Sequence, residues 1–131
     1  MQFDRTALRW TREPLHWEMD DTAIRITTTP HTDLWQRTYY HFRNDNAPVL
    51  QMTTDEQYFS FVVRTAFDSK HRFDQCGVVL YLDSENWLKA SIEYENERFQ
   101  HLGTEMCIRD SSTPGQRRDQ PRVLGLGDDR D

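Results

Sequence analysis

Two runs with a period of two constrain this chain more than any other feature. In Cys76 to Leu82 the set Cys76, Val78, Leu80, Leu82 opposes Gln75, Gly77, Val79, Tyr81. In Trp87 to Tyr94 the set Leu88, Ala90, Ile92, Tyr94 opposes Trp87, Lys89, Ser91, Glu93. Alternation of this kind sends successive side chains to opposite faces of a strand, and no helix tolerates it. The four polar residues Asp83-Ser84-Glu85-Asn86 between the runs are of turn type, so the two strands form an antiparallel hairpin. One face is expected to pack; the other carries a tryptophan, a cation and an anion.

The same reading extends outward. Ala23 to Thr27 and Leu34 to Phe42 read as strands around the Pro30 break, with Asn44-Asp45-Asn46-Ala47-Pro48 as the next turn. Val49 to Thr53 follows, then Gln57 to Thr65, where Phe59, Phe61 and Val63 face one way and Tyr58, Ser60 and Arg64 the other, Val62 alone breaking the polarity. Strands at intervals of about ten residues with turn signals between them are the mark of a sandwich or barrel. No i, i+3, i+4, i+7 stripe is present, so helices are single turns at most. The fold class is all-β, an antiparallel β-sandwich.

Composition supports one core. The 131 residues are the usual size of a single domain, and Trp 4, Tyr 5 and Phe 7 supply bulk that scarce Leu and Ile do not. A net charge of −6 disfavours phosphate backbones as a partner, since these need clustered Lys and Arg, so no nucleic acid is expected. No apolar run is long enough for a membrane span, and Met1-Gln2-Phe3-Asp4-Arg5 lacks a signal-peptide pattern, so the expectation is a cytoplasmic protein with no membrane association. Cys76 and Cys107 are not expected to pair, and neither has zinc spacing. His16, His31, His41, His71 and His101 are scattered, so no metal and no cofactor is expected.

From Glu105 onward the alternation stops, and the polar, Pro-containing stretch that follows reads as a disordered tail. Residues 1–104 are therefore read as the domain and 105–131 as the tail. Met106-Cys107-Ile108-Arg109-Asp110-Ser111 is what ATG TGT ATA AGA GAC AG encodes, the end sequence of a transposon used to build sequencing libraries, which marks the tail as non-native. The alternative is a natural disordered tail.

Four stretches taken together carry a family resemblance: Trp10 to Trp17, Thr32-Asp33-Leu34-Trp35-Gln36-Arg37-Thr38-Tyr39-Tyr40, Phe73-Asp74-Gln75-Cys76-Gly77-Val78 and Trp87-Leu88-Lys89-Ala90-Ser91-Ile92-Glu93-Tyr94. Over about residues 7–103 the chain resembles a domain-of-unknown-function family of the concanavalin A-like lectin/glucanase superfamily, one fungal member of which is named as a regulator of enolase. The family pattern reads approximately Asp-Phe-Trp-x-x-Thr, Asp-Gln-Ala-Gly and Trp-x-Lys-x-Gly-x-Glu, from which Leu34, Cys76 and Ser91 depart mildly. The resemblance implies a concanavalin A-like jelly roll that is incomplete at the C-terminal side, because members continue through a Ser-Asp-Trp-type segment and further strands.

Resemblance and polar faces point to the same candidates: Asp33, Trp35, Arg37, Gln75, Trp87, Lys89 and Glu93. A pyranose offers C–H faces that lie on tryptophan and hydroxyls that need carboxylate, amide and cationic partners. Recognition of a carbohydrate or sugar-derived small molecule on the concave sheet face is the expected function. Packing tryptophans and cross-strand ion pairs are the bland reading of the same residues. A glycoside-active enzyme using Glu93 is the alternative, for which Asp33 or Asp74, both near strand ends, would have to serve as the second carboxylate. A protein-interaction module affecting metabolism is the third, and it predicts an exposed apolar patch.

Overall fold

The structure, a computed structural model, describes residues 4–37, 42–108 and 122–129. Among the described residues a 3-10 turn at Arg5–Ala7 is followed by ten strands: β1 (Arg9–Arg12), β2 (His16–Met19), β3 (Ile24–Thr27), β4 (Leu34–Gln36), β5 (Arg43–Asp45), β6 (Val49–Thr54), β7 (Gln75–Asp83), β8 (Asn86–Asn96), β9 (Phe99–Ile108) and β10 (Arg122–Asp129). Six of them form one sheet in the order β1-β6-β10-β7-β8-β9, and β2-β3 and β4-β5 are separate hairpins. Every pairing is antiparallel. The protein is all-β with the antiparallel pairing of a β-sandwich.

The hairpin expected at Asp83–Asn86 is present: Tyr81 faces Trp87 and Gln75 faces Glu93 across β7 and β8. Its turn is tightened by Asp83, whose carboxylate accepts from the Glu85 backbone N–H and the Asn86 amide. Alternation placed the faces correctly but not their burial. Gln75, Gly77, Val79 and Tyr81 on β7, with Trp87, Lys89 and Ser91 on β8, are the buried set, whereas Leu80, Leu82 and Leu88 of the expected packing face are exposed. The reason is tertiary: β4 and the turn after β5 lie on the mixed face, where Leu34 and Ala47 close over Val49, Val79, Tyr81 and Trp87 as one core cluster.

Two expected strands also change. The single strand Leu34 to Phe42 is replaced by the β4-β5 hairpin, because Arg37 takes a left-handed φ of 59° that no strand accepts, and its N–H donates to the Phe42 carbonyl. Thr38, Tyr39, Tyr40 and His41 lie outside the described residues. Gln57 to Thr65 carries no strand assignment. Thr104, the expected end of the domain, falls inside β9, whose ladder with β8 continues to Asn86 opposite Ile108. β10 lies within the stretch expected to be tail, and residues 109–121 lie outside the described residues. Cys76 and Cys107 form no disulfide with each other.

Gly77 shows how closely β7 and β8 are fitted. A Cβ there would collide with the Ala90 carbonyl oxygen and approach Ser91 Cα to 2.6 Å, whereas one on Gly103 would meet nothing within 4 Å. Gly77→Ala should therefore cost about 1–3 kcal/mol through overpacking against backbone, while Gly103→Ala stays within about 0.5 kcal/mol of wild type. Urea midpoints of the two variants measured side by side check this; equal midpoints would contradict the packing described.

Candidate functional site

The site is organised by one buried cation. Lys89 sits in the middle of β8 with only 6% of its surface exposed. An ammonium removed from water needs replacement donors of negative charge, or folding would neutralise or expel it. β4 supplies the first, the Leu34 carbonyl oxygen, which accepts from Lys89 Nζ at 2.8 Å. Two carboxylates stand further off, Asp33 Oδ1 at 3.6 Å and Glu105 Oε2 at 3.9 Å, within ion-pair range but beyond a hydrogen bond. The rings of Trp35 and Trp87 flank the ammonium at 5.9 and 6.0 Å, close enough for cation–π attraction.

Each partner is placed by local chemistry. The Asp33 backbone is clamped by Asn46, whose side-chain oxygen accepts from the Asp33 N–H at 2.8 Å, while the Asp33 carbonyl accepts from the N–H groups of Asn46 and Ala47. Gln36 donates its side-chain amide to the Ser84 carbonyl at 2.7 Å and its backbone N–H to Glu105 Oε1 at 3.3 Å, fixing β4 to the β7-β8 turn and to β9. Arg12 reaches from β1 to the Ala47 carbonyl and the Asp45 carboxylate, holding the far end of the same hairpin. Trp35 Nε1 is buried without a hydrogen-bond partner among the described residues.

Along the same face of β8 the polar row continues. Ser91 donates its hydroxyl to Gln75 Oε1 at 2.8 Å, and both are buried. Glu93 stands opposite Gln75 on one side and His101 on the other, so carboxyl, amide and imidazole lie abreast on three strands. Glu93 is half-buried, and partial loss of water pushes its carboxyl above the usual glutamate range; Lys89, the strongest counter-influence, does not cancel this. Asp74, just before β7, is a structural residue: it is buried and its carboxylate accepts from the N–H groups of Lys70 and His71.

Of the seven residues singled out from sequence, the fold brings Asp33, Trp35 and Trp87 around Lys89, with Gln75 and Glu93 at the adjoining end of the row. Arg37 is exposed at the hairpin turn, and among the described residues its guanidinium makes no contact with the cluster. Trp87, Lys89 and Gln75 lie beneath other side chains instead of on an open surface. Sequence reasoning missed Glu105. It stands directly opposite Lys89 because the β8-β9 register shifts by one residue between Tyr94 and Asn96; counting from a Glu97-Arg98 turn alone would have put Met106 there.

A family model described as "Protein of unknown function (DUF1349)" matches residues 10–113. "Regulation of enolase protein 1" of Saccharomyces cerevisiae is 30% identical over 84 residues, which are 64% of this chain and 42% of that protein. The chain thus spans less than half the length of this curated relative. A crystal structure titled as that of a functionally unknown protein from Saccharomyces cerevisiae aligns with a TM-score of 0.55 at 16% identity, covering 95% of this chain and 89% of that one. At that identity the likeness is one of fold.

Two measurements probe the cluster. Lys89→Met leaves the Asp33 and Glu105 carboxylates beside an apolar side chain and should destabilise by about 3–5 kcal/mol, with Glu105→Gln costing distinctly less because Leu34 and Asp33 still serve the ammonium. Denaturation of both variants checks the order. For Glu93 the folded value is raised, so the folded protein holds this proton more tightly than the unfolded chain; the stability it lends is full below the ordinary glutamate value and is lost as pH rises through the folded one. Glu93→Gln should therefore gain on wild type between acid and neutral pH, seen as a stability difference that grows with pH and then levels.

Proposed function

The chain belongs to the DUF1349 family of proteins of unknown function, and on that premise we propose that it recognises a carbohydrate or sugar-derived small molecule at the Glu93 end of the polar row, on a concanavalin A-like sandwich. The observation that carries the reading is the alignment of Gln75, Glu93 and His101 across three strands, with the Glu93 carboxyl partly dehydrated. Sugar hydroxyls are both donors and acceptors, and a carboxyl already stripped of part of its water loses little more on accepting one. Lys89 acts from below as a fixed positive charge, and Trp35, half-buried beside it, is the ring a sugar face could meet. Trp87 serves the core instead of the ligand, being 3% exposed.

A second reading is supported by the other face of the sheet. On β7, β8 and β9 that face consists of Cys76, Val78, Leu80, Leu82, Leu88, Ala90, Ile92, Tyr94, Gln100, Leu102, Thr104 and Met106, without one charged residue. Leu102 and Met106 are more than half exposed there. Protein association is favoured by such a patch, in line with the name of the yeast relative. Hydrolysis has less behind it: the raised Glu93 suits a general acid, but the neighbouring Glu95 is held by Arg72 at 2.9 and 3.0 Å, which blunts it as a nucleophile or base.

The test is a glycan array probed with a family-length protein carrying this domain, wild type beside Glu93→Gln and His101→Ala, each shown to be folded by circular dichroism. Binding that both substitutions weaken at least about tenfold, and that strengthens as pH rises through the Glu93 value, is expected if a sugar hydroxyl donates to the ionised carboxylate. Folded wild type that binds no glycan would end the carbohydrate reading and leave association through the uncharged face.

A further inference from the structure

β6 and β7 do not touch. β10 lies between them and is antiparallel to both, so β6 and β7 run in the same direction with one strand's width separating them. The chain that leaves β6 at Thr54 and re-enters the sheet as β7 at Gln75 must return along the length of the sheet, in the direction β10 takes in the gap between them. It contains the stretch with the strongest strand signal left unassigned: Phe61, Val63, Thr65 and Phe67 are half-buried, and Val62, Arg64 and Ala66 between them are exposed.

We infer that the slot between β6 and β7 is exchangeable, held here by β10 and open to the chain's own residues 58–66 as its second occupant. Register supports this through the face that each side chain would take. A three-residue turn at Asp55-Glu56-Gln57 sets Tyr58 opposite Thr54 and therefore Phe61 opposite Gln51. Gln51 and Val79 already face each other across Gly125, so Phe61 in that place also falls opposite Val79 without either flanking strand moving. By the same count Phe59 takes the place of Val123 and Val63 that of Gly127, which puts Phe59, Phe61 and Val63 on the face of Val49 and Val79, where the core lies. A turn one residue shorter or longer would send the same three side chains to the opposite face.

Two physical terms favour the exchange. A three-residue turn closes with less entropy lost than the long connection that brings β10 back from β9. Aromatic and β-branched residues suit a central strand, whereas β10 carries Gly125 and Gly127 in its interior, where glycine weakens pairing. With residues 58–66 in place, β6, the new strand, β7, β8 and β9 form a continuous meander of sequence neighbours, and the C-terminal segment is released from the sheet.

Hydrogen exchange on the full chain tests the inference. Gly125→Pro/Gly127→Pro removes ladder donors from β10 and evicts it from a central position. The expected result is that amides of residues 59–65 exchange at least about tenfold more slowly than in the parent while β6 and β7 keep their protection, and that adding Val62→Pro abolishes the gain. A disulfide between Met52→Cys and Ser60→Cys, which the exchanged register sets opposite each other, should form in the proline variant and not in the parent. Unchanged exchange at 59–65, or loss of protection in β6 and β7, would overturn the exchange, since β10 would then be indispensable to the sheet.

Discussion

The burial of the Lys89 ammonium is the constraint on which the arrangement of the other elements depends. A charge in the middle of a sheet can remain only if something brings it oxygen, and here that is the Leu34 carbonyl, with Asp33 and Glu105 as charge partners. Meeting that demand pins the β4-β5 hairpin to one face of β8. The hairpin in turn brings Leu34 and Ala47 over Val79 and Trp87, so the apolar core and the polar site are consequences of one contact and share residues. Substituting the lysine therefore acts on fold and site together.

The two faces of the sheet divide labour in a way that follows from this. The face under the hairpin holds every charged side chain of β7 and β8 within the ladder apart from the strand ends, and it is the better buried of the two. The opposite face is uncharged and more open, with Leu80, Leu82 and Leu88 partly exposed. Polar groups are drawn inside because each finds a partner there: Ser91 with Gln75, Gln36 with the Ser84 carbonyl, Lys89 with Leu34. Glu93, at the end of the row, is where that supply of partners thins and the carboxyl titrates high.

Much of the fold was legible because alternation and turn chemistry are local. The β7-β8 hairpin, β3 and β6 fall where period and turn residues put them. The interruption at Arg37 was not legible, since nothing in the residue type announces a left-handed φ; it is imposed by the closure to Phe42. Strand signal in Gln57 to Thr65 was equally clear and is not realised as a ladder, because pairing also needs an unoccupied neighbour and the slot its position suggests is held by β10. Membership of the site was read in large part from residue type and resemblance, yet Glu105 required the β8-β9 register, a non-local fact.

By itself the sequence determined that this chain is a set of antiparallel strands, which residues of β7 and β8 share a face, and which side chains could serve a ligand. These follow from a period of two and from the short reach of turn residues, and both act within a few positions of chain. Only the tertiary structure decided which of the two faces is covered, that Lys89 is a buried cation instead of a surface one, and that Trp87 belongs to the core. Those outcomes depend on where a hairpin distant in sequence comes to rest, and the free energy that settles it lies in satisfying a buried charge, a quantity that no local pattern carries.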